Sequence, residues 1–373
     1  MRYLHLIALT AVLTLAGASA APAKRLDAQT RAQLDRALAQ TMQANWAPGV
    51  IAGVWVKDRG WTAARGLTAR GGGHRPTLGD HTRIGSVTKT FTGTLILQLV
   101  DEGKLSLDDT IDRWFPTFPN ASAITVGMLG TMASGISSYT LDPQIADTYL
   151  ASPTTVWTPD QLIDAAASLP PVFPPGQGFQ YSNSNFVMLG QIVEQVTGKP
   201  FAQALDEMIL EPLKLTETSF SATSALPRPS WRAYTAQGST TGNILDATRW
   251  SPTFAATAGQ MISTLGDLRT WTRALGRGTL LEPRTQRIRL QPNPHSAAGG
   301  REYDFAIGND HGWLAHDGQI PGYNTQVAYL PKLDATIVVM ANSDIASATG
   351  TIAPQVFTAL AKVIAPPGNV PTG

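Results

Sequence analysis

The chain has 373 residues, 43% of them hydrophobic and 15% charged, with 28 Lys plus Arg against 27 Asp plus Glu. That balance excludes a disordered chain and gives no clustered basic surface for nucleic acid. With no cysteine, disulfide frameworks, thiolate catalysis, iron–sulfur clusters and cysteine-ligated zinc are excluded as well.

Residues 1–20 read MRYLHLIALTAVLTLAGASA, with one arginine, an apolar run over 4–17 and the small residues Ala18, Ser19 and Ala20. This is the layout of a secretory signal cleaved near Ala20, and the run is shorter than the roughly 20 residues needed to span a bilayer. The expected mature protein is secreted or periplasmic, without stable membrane insertion.

Leu34, Leu38 and Met42 recur at four-residue spacing and predict an amphipathic helix over 26–45. Residues 50–56 and 61–67 predict a β-hairpin. Residues 90–102 predict a helix apolar all round, hence buried, and ended by Gly103. Thr158-Pro159-Asp160-Gln161 is a capping box opening a helix over 160–168. Val187, Met188, Ile192, Val193 and Val196 predict a helix over 185–197, closed by Gly198, and another runs from Thr264 to Leu275. Strands are predicted over 303–307, 312–316, 326–330 and 336–340, with a turn at Pro331-Lys332-Leu333-Asp334 and a closing helix over 354–364. Turns this short require antiparallel pairing.

The predicted fold class is α/β in the α+β sense, an antiparallel sheet flanked by N- and C-terminal helices. A discontinuous sheet domain (24–110 and 260–365) is interrupted by a helical domain (111–259), and a flexible tail follows over 366–373.

Several chemistries are missing from the sequence. No serine sits in Gly-x-Ser-x-Gly, there is no Walker loop, and Gly276-Arg277-Gly278 has Leu281 where a dinucleotide fingerprint needs glycine. His311 and His316 lie on opposite faces of a strand-like run, and His74 and His81 are expected on exposed loops, so no metal is expected. Three short motifs remain, each occurring once. In Ser86-Val87-Thr88-Lys89, three-residue spacing stacks a hydroxyl and an amine on one helical face. Desolvation lowers a lysine's preference for the charged form and equips it to take a serine proton. Tyr181-Ser182-Asn183 precedes a helix and offers a phenol for proton relay and a carboxamide for a substrate amide. His316-Asp317-Gly318 ends a strand-like run, where glycine lets a substrate lie along a sheet edge with backbone N–H groups facing a carbonyl oxygen. Each motif alone also fits an ordinary helix, cap or turn.

Taken together and in this order, the motifs resemble those of serine β-lactamases and penicillin-recognising DD-peptidases, particularly the class C β-lactamase and soluble DD-carboxypeptidase branch. Arg83-Ile84-Gly85, Leu105-Ser106-Leu107-Asp108-Asp109, Met132-Ala133-Ser134-Gly135-Ile136 and Pro174-Pro175-Gly176 add to a likeness that runs over residues 30–365. The resemblance implies a β-lactamase/transpeptidase-like fold and a cofactor-free serine hydrolase. In it Ser86 is acylated, Lys89 is the neighbouring base, Tyr181 relays protons and Asn183 positions the substrate amide. His316, Asp317 and Gly318 line the substrate, and the N–H groups of Ser86 and Gln319 form the oxyanion hole. Whether Lys89 or Tyr181 takes the first proton stays open.

Implied substrates are D-alanyl peptides of the cell wall, then small esters, then β-lactams, and the protein is expected to act as a monomer. An esterase of the β-lactamase-like kind or a weak β-lactamase is the alternative. From another class, the alternative is a non-catalytic cell-wall-binding or regulatory protein. Asp317 departs from the family pattern, which has a hydroxyl there to bind a substrate carboxylate. A like charge at about 4 Å costs several kcal/mol at an effective dielectric near 20. Arg301 is the candidate compensating clamp.

Overall fold

Asp27 accepts a hydrogen bond from Thr30 N at 2.8 Å and so caps the first helix, α1 (Ala28–Ala44), whose buried residues are Leu34 and Leu38. The computed structural model describes residues 24–297 and 301–371, so the expected export signal lies outside the described residues. Within them no helix is long and apolar enough to cross a membrane.

The central sheet has eight strands: β1 (Lys24–Arg25), β2 (Gly49–Val56), β3 (Arg59–Gly66), β4 (Arg301–Tyr303), β5 (Gly308–Asp310), β6 (Trp313–Ile320), β7 (Tyr323–Leu330) and β8 (Ala335–Ala341). Their order across the sheet is β1-β3-β2-β8-β7-β6-β5-β4, so the two ends of the chain meet where β2 pairs with β8. Pairing is antiparallel, as expected, except that β1 runs parallel to β3.

Strand alternation assigns each face a layer. In β8, Ala335, Ile337, Val339 and Ala341 pack with α1 and the C-terminal helix α5 (Ile352–Ile364). Val338 and Met340 face the opposite core, with α2 (Thr88–Asp101) and α4 (Leu265–Arg277). Fully burying each of the larger ones, Ile337, Val338, Val339 and Met340, contributes about 1.5–3 kcal/mol. The region between β3 and β4 is mostly helix and loop, and its helix α3 (Asn183–Thr197) shares this second core with α2.

Four expectations need correction. Only Tyr303 of the run 303–307 is strand, because the chain turns back with Asp304 N donating to Ile307 O at 2.8 Å and Ala306 at φ 60°. The strand expected over 312–316 instead continues to Ile320, which puts His316-Asp317-Gly318 inside a strand. His81 is buried, not on an exposed loop, and one ring nitrogen lies 3.0 Å from Glu217 Oε2. Residues 366–371 do not hang free: Trp313 Nε1 donates to Asn369 O and Asn369 Nδ2 donates to His311 O, both at 2.8 Å. Short helices such as Val126–Gly130 and Pro283–Arg289 have too few turns to show a period in sequence.

Candidate active site

Ser86 lies in a 3-10 turn (Gly85–Val87) that runs directly into α2. Gly85 makes this turn possible, with φ at +52°, a conformation that strains any residue carrying a Cβ. Nearly all of α2 is buried, so Lys89 enters the protein interior and is 0% exposed. Its Nζ lies 2.9 Å from Ser86 Oγ, 2.7 Å from Asn183 Oδ1 and 2.9 Å from Ala258 O. No carboxylate pairs with it among the described residues, and burial pushes its pKa down to about 7, with the charge of Asp317 pulling the other way.

These partners fix the direction of the hydrogens. A carbonyl oxygen and an amide oxygen only accept, so a neutral Lys89 amine gives its two hydrogens to Asn183 and Ala258. Its lone pair is then left for the Ser86 hydroxyl. Tyr181 completes the group, with its ring centroid 4.9 Å from Lys89 Nζ. Burial pushes the Tyr181 phenol up, Ser86 opposes that shift and Asp317 adds to it, so the phenol keeps its proton at neutral pH.

β6 closes the other side. β5 pairs with β6 only as far as Ala315, and from His316 onward that edge has no strand neighbour among the described residues. The serine turn occupies the place. A Cβ on Gly318 would stand 1.9 Å from Ile84 O and 3.1 Å from Ser86 N, and one on Gly85 would stand 2.6 Å from Gln319 N. Two glycines thus bring the backbone nitrogens of Ser86 and Gln319 to one small region.

His316 is buried, and its Nδ1 lies 2.6 Å from Asp317 O, an acceptor only, so Nδ1 carries the hydrogen. Nε2 then accepts from the Tyr303 hydroxyl at 3.2 Å. Burial pulls the imidazole down to about 4, which keeps it neutral. Ser86, Asn183 and Gln319 open onto a cavity of about 360 Å³ whose far wall is Tyr139, Tyr149 and Phe254. The Tyr149 and Phe254 rings are stacked 3.9 Å apart.

The family model for Beta-lactamase matches residues 34–356. The chain belongs to the beta-lactamase family. Among its relatives, penicillin-binding protein 4 of Amycolatopsis lactamdurans is 33% identical over 177 residues, covering 46% of this chain and 44% of that protein. Protein flp of Staphylococcus aureus is 28% identical over 279 residues, 69% of this chain and 52% of that protein. The chain therefore spans about half the length of these two relatives. A D-stereospecific amidohydrolase from Streptomyces superposes with a TM-score of 0.78 at 32% identity, over 88% of this chain and 98% of that one. A penicillin binding protein from Bacillus halodurans, at 24% identity and a TM-score of 0.76, covers 88% of this chain and 100% of its own and shares the fold.

Within this family fold the residues expected from sequence fall into two groups. Ser86, Lys89, Tyr181, Asn183, Gly318 and Gln319 converge on one region. Asp317 alternates with His316 along β6, and its exposed side chain lines a second cavity with Arg301 and Asp310, a cavity that Tyr181 and His316 line as well. Arg301, the expected clamp, is already engaged there, its Nε 3.4 Å from Asp310 Oδ2. Asp317 still acts on the site through its charge, because it raises Lys89 and His316. Sequence reasoning missed Ala258, whose carbonyl orients Lys89 from 169 residues away, and Tyr303, which supports His316. Neither carries a local signal: a backbone carbonyl is common to every residue type, and the Tyr303 hydroxyl reaches His316 across 13 residues.

Proposed function

We propose that this member of the beta-lactamase family is an exported serine amidohydrolase working through an acyl-enzyme on Ser86. The observation that carries the proposal is the buried Lys89 amine, 2.9 Å from Ser86 Oγ, with its other two partners restricted to acceptors. Neutral Lys89 takes the Ser86 proton as Oγ bonds to the substrate carbonyl carbon. The resulting oxyanion is held by the N–H groups of Ser86 and Gln319. Lys89 is the first base because its amine titrates near neutrality, whereas the Tyr181 phenol is pushed the other way. Tyr181 passes a proton to the leaving nitrogen and takes one from the Lys89 ammonium beside it, the C–N bond breaks, and the amine departs with Lys89 neutral and Tyr181 protonated again. Water then attacks the ester, yielding the acid and restoring the Ser86 hydroxyl. Asn183 Nδ2, which has no protein partner among the described residues, donates to the substrate's acyl-side carbonyl.

The substrates are D-alanyl peptides or related amides and esters, and the likeness to the Streptomyces D-stereospecific amidohydrolase supports an open-chain amide over a β-lactam. Asp317 disfavours leaving groups that end in a carboxylate. Export after Ala20 belongs to the same proposal, supported by the sequence of residues 1–20. Hydrolysis of p-nitrophenyl acetate and of a D-amino acid amide by wild type and Ser86→Ala tests the assignment. The variant should lose at least about a thousandfold in rate on both. Equal rates would overturn it.

A further inference from the structure

The carbonyl of Ala258 is one of the three groups around Lys89 Nζ, and it lies on neither α2, nor α3, nor the serine turn. It belongs to a short helical turn, Ala256–Gly259, whose first residue has φ at 40°. A residue with a Cβ holds that left-handed conformation only where its surroundings impose it. The direction of the Ala258 carbonyl is therefore set from outside the turn.

Thr257, the residue between, supplies the hold. It is buried, and it is engaged at both side chain and backbone. Its Oγ1 donates to Phe186 O at 2.8 Å, on α3 one turn beyond Asn183. Its own carbonyl accepts from Thr92 Oγ1 at 2.7 Å, on α2 one turn beyond Lys89. The seat is close: a Cβ on Gly190 of α3 would stand 2.3 Å from Thr257 Oγ1. Just past the turn, Met261 N donates to Thr88 Oγ1 at 3.3 Å. One residue thus ties the carbonyl to the helix of the lysine and to the helix of its other acceptor. Neither Thr257 nor Thr92 lines the cavity in front of Ser86.

We infer that Thr257 is a positioning residue for acylation: with Thr92 it clamps the Ala258 carbonyl onto Lys89, which keeps the amine's hydrogens on their two acceptors and its lone pair on Ser86 Oγ. This rests on the reading of Lys89 as the base for Ser86 and adds the device that aims it. With the carbonyl drawn away, the amine is free to turn and give a hydrogen to Ser86 Oγ, and acylation slows. A carbonyl oxygen at hydrogen-bond distance also favours the ammonium, so its loss lets Lys89 release its proton at lower pH. Water entering a loosened site does the opposite, because it relieves the burial that disfavours the charge. The titratable groups facing Lys89 are Tyr181, His316 and Asp317, all outside this turn.

The test is the pH profile of kcat/KM for p-nitrophenyl acetate in wild type, Thr257→Val, Thr257→Ser and Thr92→Val, with a thermal melt of each. Valine keeps the shape of threonine but puts a methyl group against Phe186 O, too large for a 2.8 Å approach. In Thr257→Val the plateau should fall by about ten- to a hundredfold, the cost of a small misplacement. Its acidic limb should move down by about half a pH unit. Thr257→Ser, which keeps the donor, should restore the limb and bring the plateau to within about threefold of wild type. Thr92→Val cuts the other tether and should shift both in the same direction as Thr257→Val, so it decides the matter if that variant does not fold. A wild-type plateau and limb in the folded valine variants, a limb moved to higher pH, or a serine variant no better than valine overturns the inference. Each of these leaves the assignment of Ser86 standing, since that is judged by Ser86→Ala.

Discussion

Lys89 is the residue on which the chemistry turns. A lysine in water holds its proton to about pH 10.4, too high to act as a base at neutrality. Burial without a carboxylate partner brings it to about 7. The rate of acylation should therefore rise with pH as the amine loses its proton, with the acidic limb of kcat/KM centred near pH 7. Lys89→Arg, which cannot release a proton, should flatten that limb and lower kcat/KM by at least about a hundredfold. A pH–rate profile of ester hydrolysis checks both, and a limb below pH 5 in wild type would count against the amine as base. Asp317 holds the Lys89 pKa up, so Asp317→Thr should move the limb to lower pH by less than about one unit. The same substitution should speed acylation by penicillins, because it removes a negative charge from the leaving side. Slower acylation would argue that the repulsion is unimportant.

Between elements, the decisive contact is the serine turn against β6. Gly318 has room for a hydrogen only, with Ile84 O where a Cβ would go. Gly318→Ala should push the strand from the turn and separate the two backbone donors. A fall of about 10²–10³-fold in kcat is expected, the cost of one misplaced oxyanion donor. Steady-state kinetics beside a thermal melt distinguishes this from unfolding, and a normal kcat in a folded variant would contradict it. The elements themselves were unevenly legible. α2, α3 and α5 announce themselves by long apolar runs and cap residues, and the β2–β3 hairpin by its turn. The extent of β6 was missed because Asp317-Gly318 reads locally as a turn, while seven register pairs with β7 make it strand. The pairing of Ser86 with Lys89 was visible because it is local, one turn apart. Its second support, Asn183, was named as a substrate ligand, and only the fold shows that Oδ1 holds the lysine. The tie from Thr257 to Phe186 spans 71 residues and leaves no local trace.

Across the whole molecule, the sheet separates a layer that stabilises from a layer that reacts. α1 and α5 cover the face away from Ser86, with Leu34 and Leu38 fully buried between helices and sheet. Leu34→Ala should cost about 2–5 kcal/mol of stability, measured by denaturant titration, while the folded variant keeps the wild-type pH–rate profile. A changed profile would mean that the two layers are coupled through the sheet. The most direct measurement is an acid quench of wild type during turnover of p-nitrophenyl acetate, followed by peptide mapping. The acetyl group should appear on the peptide Ile84–Lys89, at Ser86, and be absent from Ser86→Ala. An acetyl group on any other residue, or turnover with Ser86 unmodified, would contradict the mechanism.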